Sequence, residues 1–138
     1  MATTASITLA SDVSGDPVNV SKQATFFKSG STNDLDQTTG LNRVHLRSVT
    51  NKTLLTANAE GNDLAAKVYI VNKATDSTIY LTVTINAQTI GKLYAGDWMF
   101  MPWSQTDTAA SIEVAATNWT SSTGDIPVEY ALFHEDTD

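Results

Sequence analysis

One segment of the chain alternates strictly between aliphatic and polar side chains. In residues 79–85, the positions between the four aliphatic residues are Tyr80, Thr82 and Thr84. Successive side chains of a β-strand point to opposite faces, so this spacing puts the aliphatic side chains against a core and the Tyr/Thr side chains outward. The segment therefore predicts a half-buried strand. No stretch of the chain keeps apolar residues at helical spacing over three turns.

Turn residues and further alternating segments predict the rest of the fold. Asn86-Ala87 is followed at once by an extended pattern at 89–94, which predicts a hairpin, and Ala95-Gly96-Asp97 predicts the next turn. Further strands are predicted at 6–10, 18–27, 43–49, 68–70, 112–116 and 128–132. About eight short strands divided by turns predict an all-β protein, an antiparallel β-sandwich or jelly roll.

A chain of 138 residues suits one domain that buries a core without disulfides. We expect a single β domain over residues 1–138. Residues 1–16 are expected to form either an ordered N-terminal arm or a frayed end. Residues 28–41 are mostly polar and include two glycines, so they predict an exposed, often mobile loop, or an arm that becomes ordered on a neighbour.

Composition excludes several classes of protein. The chain has no cysteine, which excludes a disulfide framework and a thiolate metal site. Its net charge of −7 opposes binding to a phosphate backbone, so we expect no nucleic-acid partner. No apolar run reaches the roughly 18 to 20 residues of a membrane helix. Residues 1–6 lack the basic and apolar regions of a secretory signal, so the product is expected to stay where it is made.

Catalytic and metal-binding patterns are weak. The two histidines, His45 and His134, are not accompanied by a Gly-x-Ser-x-Gly elbow, and most carboxylates stand in turn-like contexts. The segment 33–36 carries oxygen ligands at alternate positions, which suits either a calcium ion or a solvated loop. We therefore expect no enzyme activity and assign no catalytic residue, cofactor or metal.

Two clusters are candidate interface residues. Arg43, His45 and Arg47 alternate with aliphatic residues and predict a positive row on one strand face, which serves either as a contact for an acidic neighbour or as a solubilising edge. In the segment 97–103, Trp98 and Phe100 fall on one face and Trp103 on the other. Aromatic residues are enriched both in cores and at interface hot spots, so the segment predicts one or both of these roles.

A further aromatic residue, Trp119, lies in the polar stretch 117–122. A tryptophan in a polar loop can stack on a sugar ring. Trp119 is therefore a candidate either for binding a glycan or for anchoring the core.

Three segments carry a resemblance to a known group of proteins. They are Lys-Val-Tyr-Ile-Val-Asn at 67–72, Ile-Gly-Lys-Leu-Tyr-Ala-Gly-Asp-Trp-Met-Phe-Met-Pro-Trp at 90–103, and Val-Glu-Tyr-Ala-Leu-Phe-His-Glu at 128–135. With the polar stretch 35–41, they resemble small virion structural proteins of tailed bacteriophages, especially marine and cyanobacterial ones. The resemblance implies an antiparallel β domain on the virion, in several copies, and carries no catalytic motif.

The expected function is therefore that of a non-enzymatic capsid decoration or cement protein. It would bind the outer head surface, stabilise contacts between major capsid subunits, and be assembled in the host cytoplasm. Its partners would be the major capsid protein and further copies of itself, with a homotrimer at a threefold position as one arrangement. The alternative is a tail-fibre or head-fibre module that recognises host surface glycans.

Overall fold

A computed structural model describes residues 2–15, 17–56, 65–104 and 111–135. Within these residues the chain forms eleven strands, a single 3₁₀ turn at Val13–Gly15 and no α-helix. The strands are β1 Thr3–Ser11, β2 Val18–Phe26, β3 Gln37–Thr38, β4 Asn42–Leu46, β5 Lys52–Leu55, β6 Ala66–Asn72, β7 Tyr80–Ile85, β8 Gln88–Tyr94, β9 Trp98–Pro102, β10 Ile112–Ala115 and β11 Ile126–His134. The prediction of an all-β protein is confirmed.

Strands β4 to β11 form two antiparallel sheets that pack against each other. Their orders are β4-β11-β6-β9 and β5-β10-β7-β8. Every connection between consecutive strands crosses from one sheet to the other, except the β7–β8 hairpin. This is the connectivity of an eight-stranded jelly roll. The short strand β3 pairs with β11 next to β4, which makes the first sheet five-stranded.

The core lies between the two sheets because each presents an aliphatic face to the other. The five-stranded sheet contributes Val68, Ile70, Val128 and Leu132, and the four-stranded sheet contributes Leu81, Val83, Ile112 and Val114, all of them buried. The alternation at 79–85 thus predicts correctly which side chains of this segment face the core. Burial of such side chains is the main term that favours folding, at about 25 cal/mol per Å² of apolar surface.

The hairpin predicted at Asn86-Ala87 is confirmed. Both residues have positive φ angles, 49° and 59°, which is the geometry of a type I′ turn. This turn matches the right-handed twist of the flanking strands, and it joins β7 to β8. Asparagine tolerates the left-handed region, whereas alanine occupies it with steric strain from its Cβ atom.

The N-terminal part of the chain is an ordered two-stranded ribbon. Strands β1 and β2 pair antiparallel over nine residues each, from Thr3↔Phe26 to Ser11↔Val18. The ribbon is joined to the rest of the chain at its base, where the Thr3 amide donates to the Leu35 carbonyl at 3.0 Å and the Leu35 amide donates to the Phe26 carbonyl at 2.7 Å. Of the arm expected at residues 1–16, residues 1 and 16 lie outside the described residues.

The segment 28–41 differs from a simple exposed loop. Its first part turns tightly, with the Lys28 amide donating to the Asn33 carbonyl at 2.8 Å. Leu35 is completely buried, and β3 pairs with the end of β11. A short hydrophobic anchor in a polar stretch carries no periodic signal, so its burial was not predicted.

Candidate assembly surface

The β1–β2 ribbon has one apolar face and one polar face. Strand alternation and the pairing register place the apolar side chains together: Ala5, Ile7, Leu9, Val18, Val20, Ala24 and Phe26, with Lys22 among them. We call this surface the ribbon face. The opposite side consists almost entirely of serine, threonine, asparagine and glutamine side chains. Along most of its length the ribbon face is exposed, with Leu9 at 50% and Val18 at 52% of full exposure.

The outward side of the five-stranded sheet carries a group of aromatic side chains. Tyr69 on β6 lies beside Trp98 on β9, with ring centroids 6.5 Å apart, and Phe100 lies 6.5 Å from Phe133 on β11. Trp98 is 51% exposed. We call the surface formed by Tyr69, Trp98 and Phe100 the aromatic face.

The ribbon face and the aromatic face form the two walls of an open cleft of about 820 Å³. Phe26 at the ribbon base contacts Phe100, with ring centroids 5.4 Å apart. Ile7 and Leu9 of the ribbon face line the same cleft as Trp98 of the aromatic face, and Leu9 and Trp98 are each about half exposed. Two apolar surfaces therefore face each other without being in full contact.

Opposite charges line the same cleft. Lys22 stands on the ribbon face, and Asp97 stands in the turn before β9. Asp97 accepts a hydrogen bond from the Tyr94 amide at 2.9 Å, which holds its carboxylate in place. The three ion pairs found among the described residues do not include Lys22 or Asp97.

The aromatic segment 97–103 divides between a core role and a surface role. Trp103 is 5% exposed and belongs to the core cluster, and its amide donates to the Ala66 carbonyl at 3.1 Å. Met99 and Met101 pack against the same cluster. Trp98 and Phe100 point the opposite way and form the aromatic face. The strand alternation predicted this division, although not which side would be exposed.

The row of Arg43, His45 and Arg47 lies on the outward side of the β4 edge. Arg43 is ion-paired with Glu129 on β11, and Arg47 forms a two-pronged pair with Asp125, at 2.6 Å and 2.8 Å. The hydrogen bond from Arg47 holds the pKa of Asp125 below its ordinary value. The hydrogen bond from Arg43 does the same for the pKa of Glu129. Both arginine charges are thus largely neutralised within the chain, which weakens the row as a positive surface.

Trp119 is not an exposed platform. It is partly buried against the core cluster, and its indole Nε1 donates to the Gly124 carbonyl at 2.8 Å. The hydrogen bond closes the loop between β10 and β11. Its geometry agrees with the core-anchor interpretation, and it separates Trp119 from the aromatic face.

Within residues 2–15, 17–56, 65–104 and 111–135, no three histidine, aspartate or glutamate side chains lie close enough to hold a metal ion. In the segment considered for calcium, Asp36 is ion-paired with Lys28 at 3.2 Å. The same part of the chain contains no helix that is long and apolar enough to span a bilayer.

Several residues of the cleft were not singled out from the sequence. Ile7 and Leu9 of the cleft alternate with other residues in β1, as Val18 and Val20 of the ribbon face do in β2, and this pattern indicates one apolar face for each strand. What the pattern could not supply was the register between the strands, because the turn signals Ser-Gly and Asp-Pro in the connection 12–17 do not specify a single hairpin geometry. Tyr69 was not singled out because it lies within the apolar run of β6.

Comparisons with family models, with curated proteins and with solved structures found no match to this chain. The assignment of the site therefore rests on the geometry and chemistry of the residues themselves.

Proposed function

We propose that this chain is a non-enzymatic structural protein of a bacteriophage virion, a decoration protein on the outer surface of the head. The observation that carries the proposal is the open cleft between the ribbon face and the aromatic face. Contiguous apolar surface that a small domain leaves uncovered is typical of protein–protein contact sites. Tryptophan and other aromatic residues in such a site are the side chains that most often dominate binding energy.

The architecture and the charge of the chain support the same function. Jelly rolls recur in viral capsid and lectin domains, although a fold alone never fixes a function. The net charge of −7 favours the solubility of the free protein before assembly. Segments 67–72, 90–103 and 128–135 resemble phage virion proteins, and this resemblance is the reason for proposing a virion as the assembly to which the chain binds.

The mechanism would be stabilisation by mass action. A subunit that binds only the assembled shell stabilises it by RT ln(1 + [L]/Kd) at each site, and the effect accumulates over many sites. The major capsid protein would be the partner, and the bound subunits would bridge neighbouring copies of it. No reacting group is needed for such a role.

Immunogold labelling of particles from the phage that encodes this chain tests the proposal. Gold distributed over the head is the expected result. Particles that contain no peptide of this chain by mass spectrometry would rule out the virion role. Binding of the purified chain to heads that lack it then tests the surface. Trp98→Ser should abolish binding, whereas Tyr94→Ser, at a similarly exposed aromatic residue on the other sheet, should leave it intact.

A second candidate function, glycan recognition on a fibre, is favoured by one observation. On the outward side of the four-stranded sheet, the rings of Tyr80 and Tyr94 lie 5.4 Å apart, and Tyr94 is 46% exposed. The Thr82 and Thr117 hydroxyls, 2.6 Å apart, and the Lys92 ammonium lie on the same side. Aromatic rings beside hydroxyl and amine groups suit a sugar, which has both an apolar face and hydrogen-bonding groups.

Gold at the tail or at fibre tips, together with binding to host surface polysaccharide, would favour this second function. The same two variants separate the candidates, because a glycan site at Tyr80 and Tyr94 requires that Tyr94→Ser, and not Trp98→Ser, abolish binding. Retained binding in both variants would contradict both assignments.

A further inference from the structure

We propose that two copies of this chain exchange ribbons, so that each ribbon turns away from its own sheet and packs its apolar face on the aromatic face of the other copy. The inference rests on the proposed function, since it takes the cleft to be an assembly surface. It adds the identity of the first partner, which is the chain itself. The capsid would then be bound by the resulting pair.

The ribbon needs a partner because of its own architecture. A two-stranded ribbon is marginally stable at best in water, and a third strand or a packed layer is required to stabilise it. Here β1 and β2 pair only with each other, and the hydrogen bonds through Leu35 tie down only their base. The distal residues Leu9, Val13 and Val18 remain at least half exposed. A packed layer on the ribbon face would supply the missing stabilisation.

The area of the two faces distinguishes one-sided docking from reciprocal exchange. A strand of nine residues is about 31 Å long, so a two-stranded face measures roughly 300 Å². One ribbon on one foreign surface would bury roughly 600 Å² in total, which is in the range of weak contacts. Reciprocal exchange between two copies buries two ribbon faces and two aromatic faces, roughly 1,200 Å², where specific stable interfaces begin.

The charges at the cleft suit the same occupant. A ribbon that packs on the aromatic face of the other copy brings Lys22 on its apolar face, and the receiving copy offers Asp97, which lines the same cleft. Each copy therefore supplies Lys22 to the Asp97 of the other copy, so the same contact forms twice, as two-fold symmetry requires. A wholly apolar occupant would leave Asp97 facing an uncharged surface.

The molar mass in solution is the first test. Light scattering on the purified chain at tens of micromolar should give twice the 14.8 kDa of one chain. Leu9→Asp should weaken association at least tenfold, because it puts a charge on the ribbon face. The matched control Thr8→Asp alters the neighbouring residue on the polar face, and it should leave the dimer intact. A monomeric wild-type chain, or equal weakening by both variants, would overturn the exchange.

Disulfide cross-linking identifies what lies against the aromatic face. The chain has no native cysteine, so only the introduced cysteines can form a disulfide. Mixing the Leu9→Cys and Trp98→Cys variants should give a disulfide between copies. A disulfide that forms only within one chain carrying both cysteines would mean that the ribbon closes on its own sheet, and would overturn the proposal. A monomer that still labels phage heads would overturn the exchange alone. A cross-linked dimer absent from the particle would overturn the proposed function alone.

Discussion

The side chain of Asn72 joins the two sheets of the jelly roll through the backbone of Leu93. Its Nδ2 donates to the Leu93 carbonyl at 3.0 Å, while its Oδ1 accepts from the Ala74 amide at 2.9 Å. Asn72 is on β6 of the five-stranded sheet and Leu93 is on β8 of the four-stranded sheet. The amide is completely buried, so both of its polar ends find partners where water cannot supply them.

Replacing Asn72 by aspartate should lower the free energy of unfolding by about 2 to 3 kcal/mol, because it removes the donor and leaves the Leu93 carbonyl without that bond. Urea unfolding followed by tryptophan fluorescence measures the loss. Asn19→Asp, an exposed change on the polar side of the ribbon, is the control and should be nearly neutral. Equal stability of the two variants would contradict the structural role of Asn72.

Leu35→Ala should destabilise the chain by about 2 to 5 kcal/mol, the usual range for truncating a buried leucine. Leu35 is fully buried, whereas Leu41 in the same polar segment is 64% exposed. Leu41→Ala is therefore the matched control, with an expected effect of about 0.5 kcal/mol or less. A small effect at Leu35 would show that the segment 28–41 behaves as the free loop that its composition predicts.

Ala87→Gly should stabilise the chain by roughly 0.5 to 1 kcal/mol. The positive φ of Ala87 strains an L-residue with a Cβ atom, and relief of that strain exceeds the entropy that glycine loses. Asn-Gly is also the preferred pair for this turn. The thermal midpoint measures the gain. Ala10→Gly in β1, where the backbone is extended, should instead have a neutral or unfavourable effect.

Acid should loosen the β4 edge. The pKa values of Glu129 and Asp125 are lowered mainly by hydrogen bonds from Arg43 and Arg47. A lowered pKa in the folded state contributes stability above the ordinary pKa and loses it as the pH falls through the folded value. The thermal midpoint should therefore fall as the pH is lowered from about 4.5 to about 3.

The double variant Arg43→Gln, Arg47→Gln should show a shallower fall over the same pH range. The difference should be small and should diminish in high salt, because both pairs are exposed to solvent. Midpoints that change in parallel in the variant and the wild type would mean that other carboxylates govern the acid response.

The strands of the body were predictable where one face meets the core and the other meets water. Residues 79–85 and the turn at Asn86-Ala87 gave the β7–β8 hairpin, with its direction of burial, from local pattern alone. The pairing of β4 with β11 was not predictable, because these strands are separated by most of the chain and no local signal fixes long-range order. The jelly-roll connectivity is visible only in the structure.

The candidate site was only partly predictable. Trp98 and Phe100 were singled out as residues of one face, and the structure places that face outward beside Tyr69. Arg43 lies on the outward side of β4, and Arg47 directly follows the last residue of that strand. Their neutralisation depends on carboxylates more than seventy residues away. Trp119 carried the same local signal as a surface aromatic, yet its indole is bound to a carbonyl five residues along.

The ribbon contributes no side chain to the core cluster of the jelly roll. Substitutions in the ribbon are therefore free of the packing constraints of that core, except at Phe26, which packs on Phe100. Over evolutionary time the ribbon can diverge rapidly while the body changes slowly, so related chains should differ most in what they join and least in how they fold. For engineering, the same separation makes the part of the ribbon beyond its base a replaceable module.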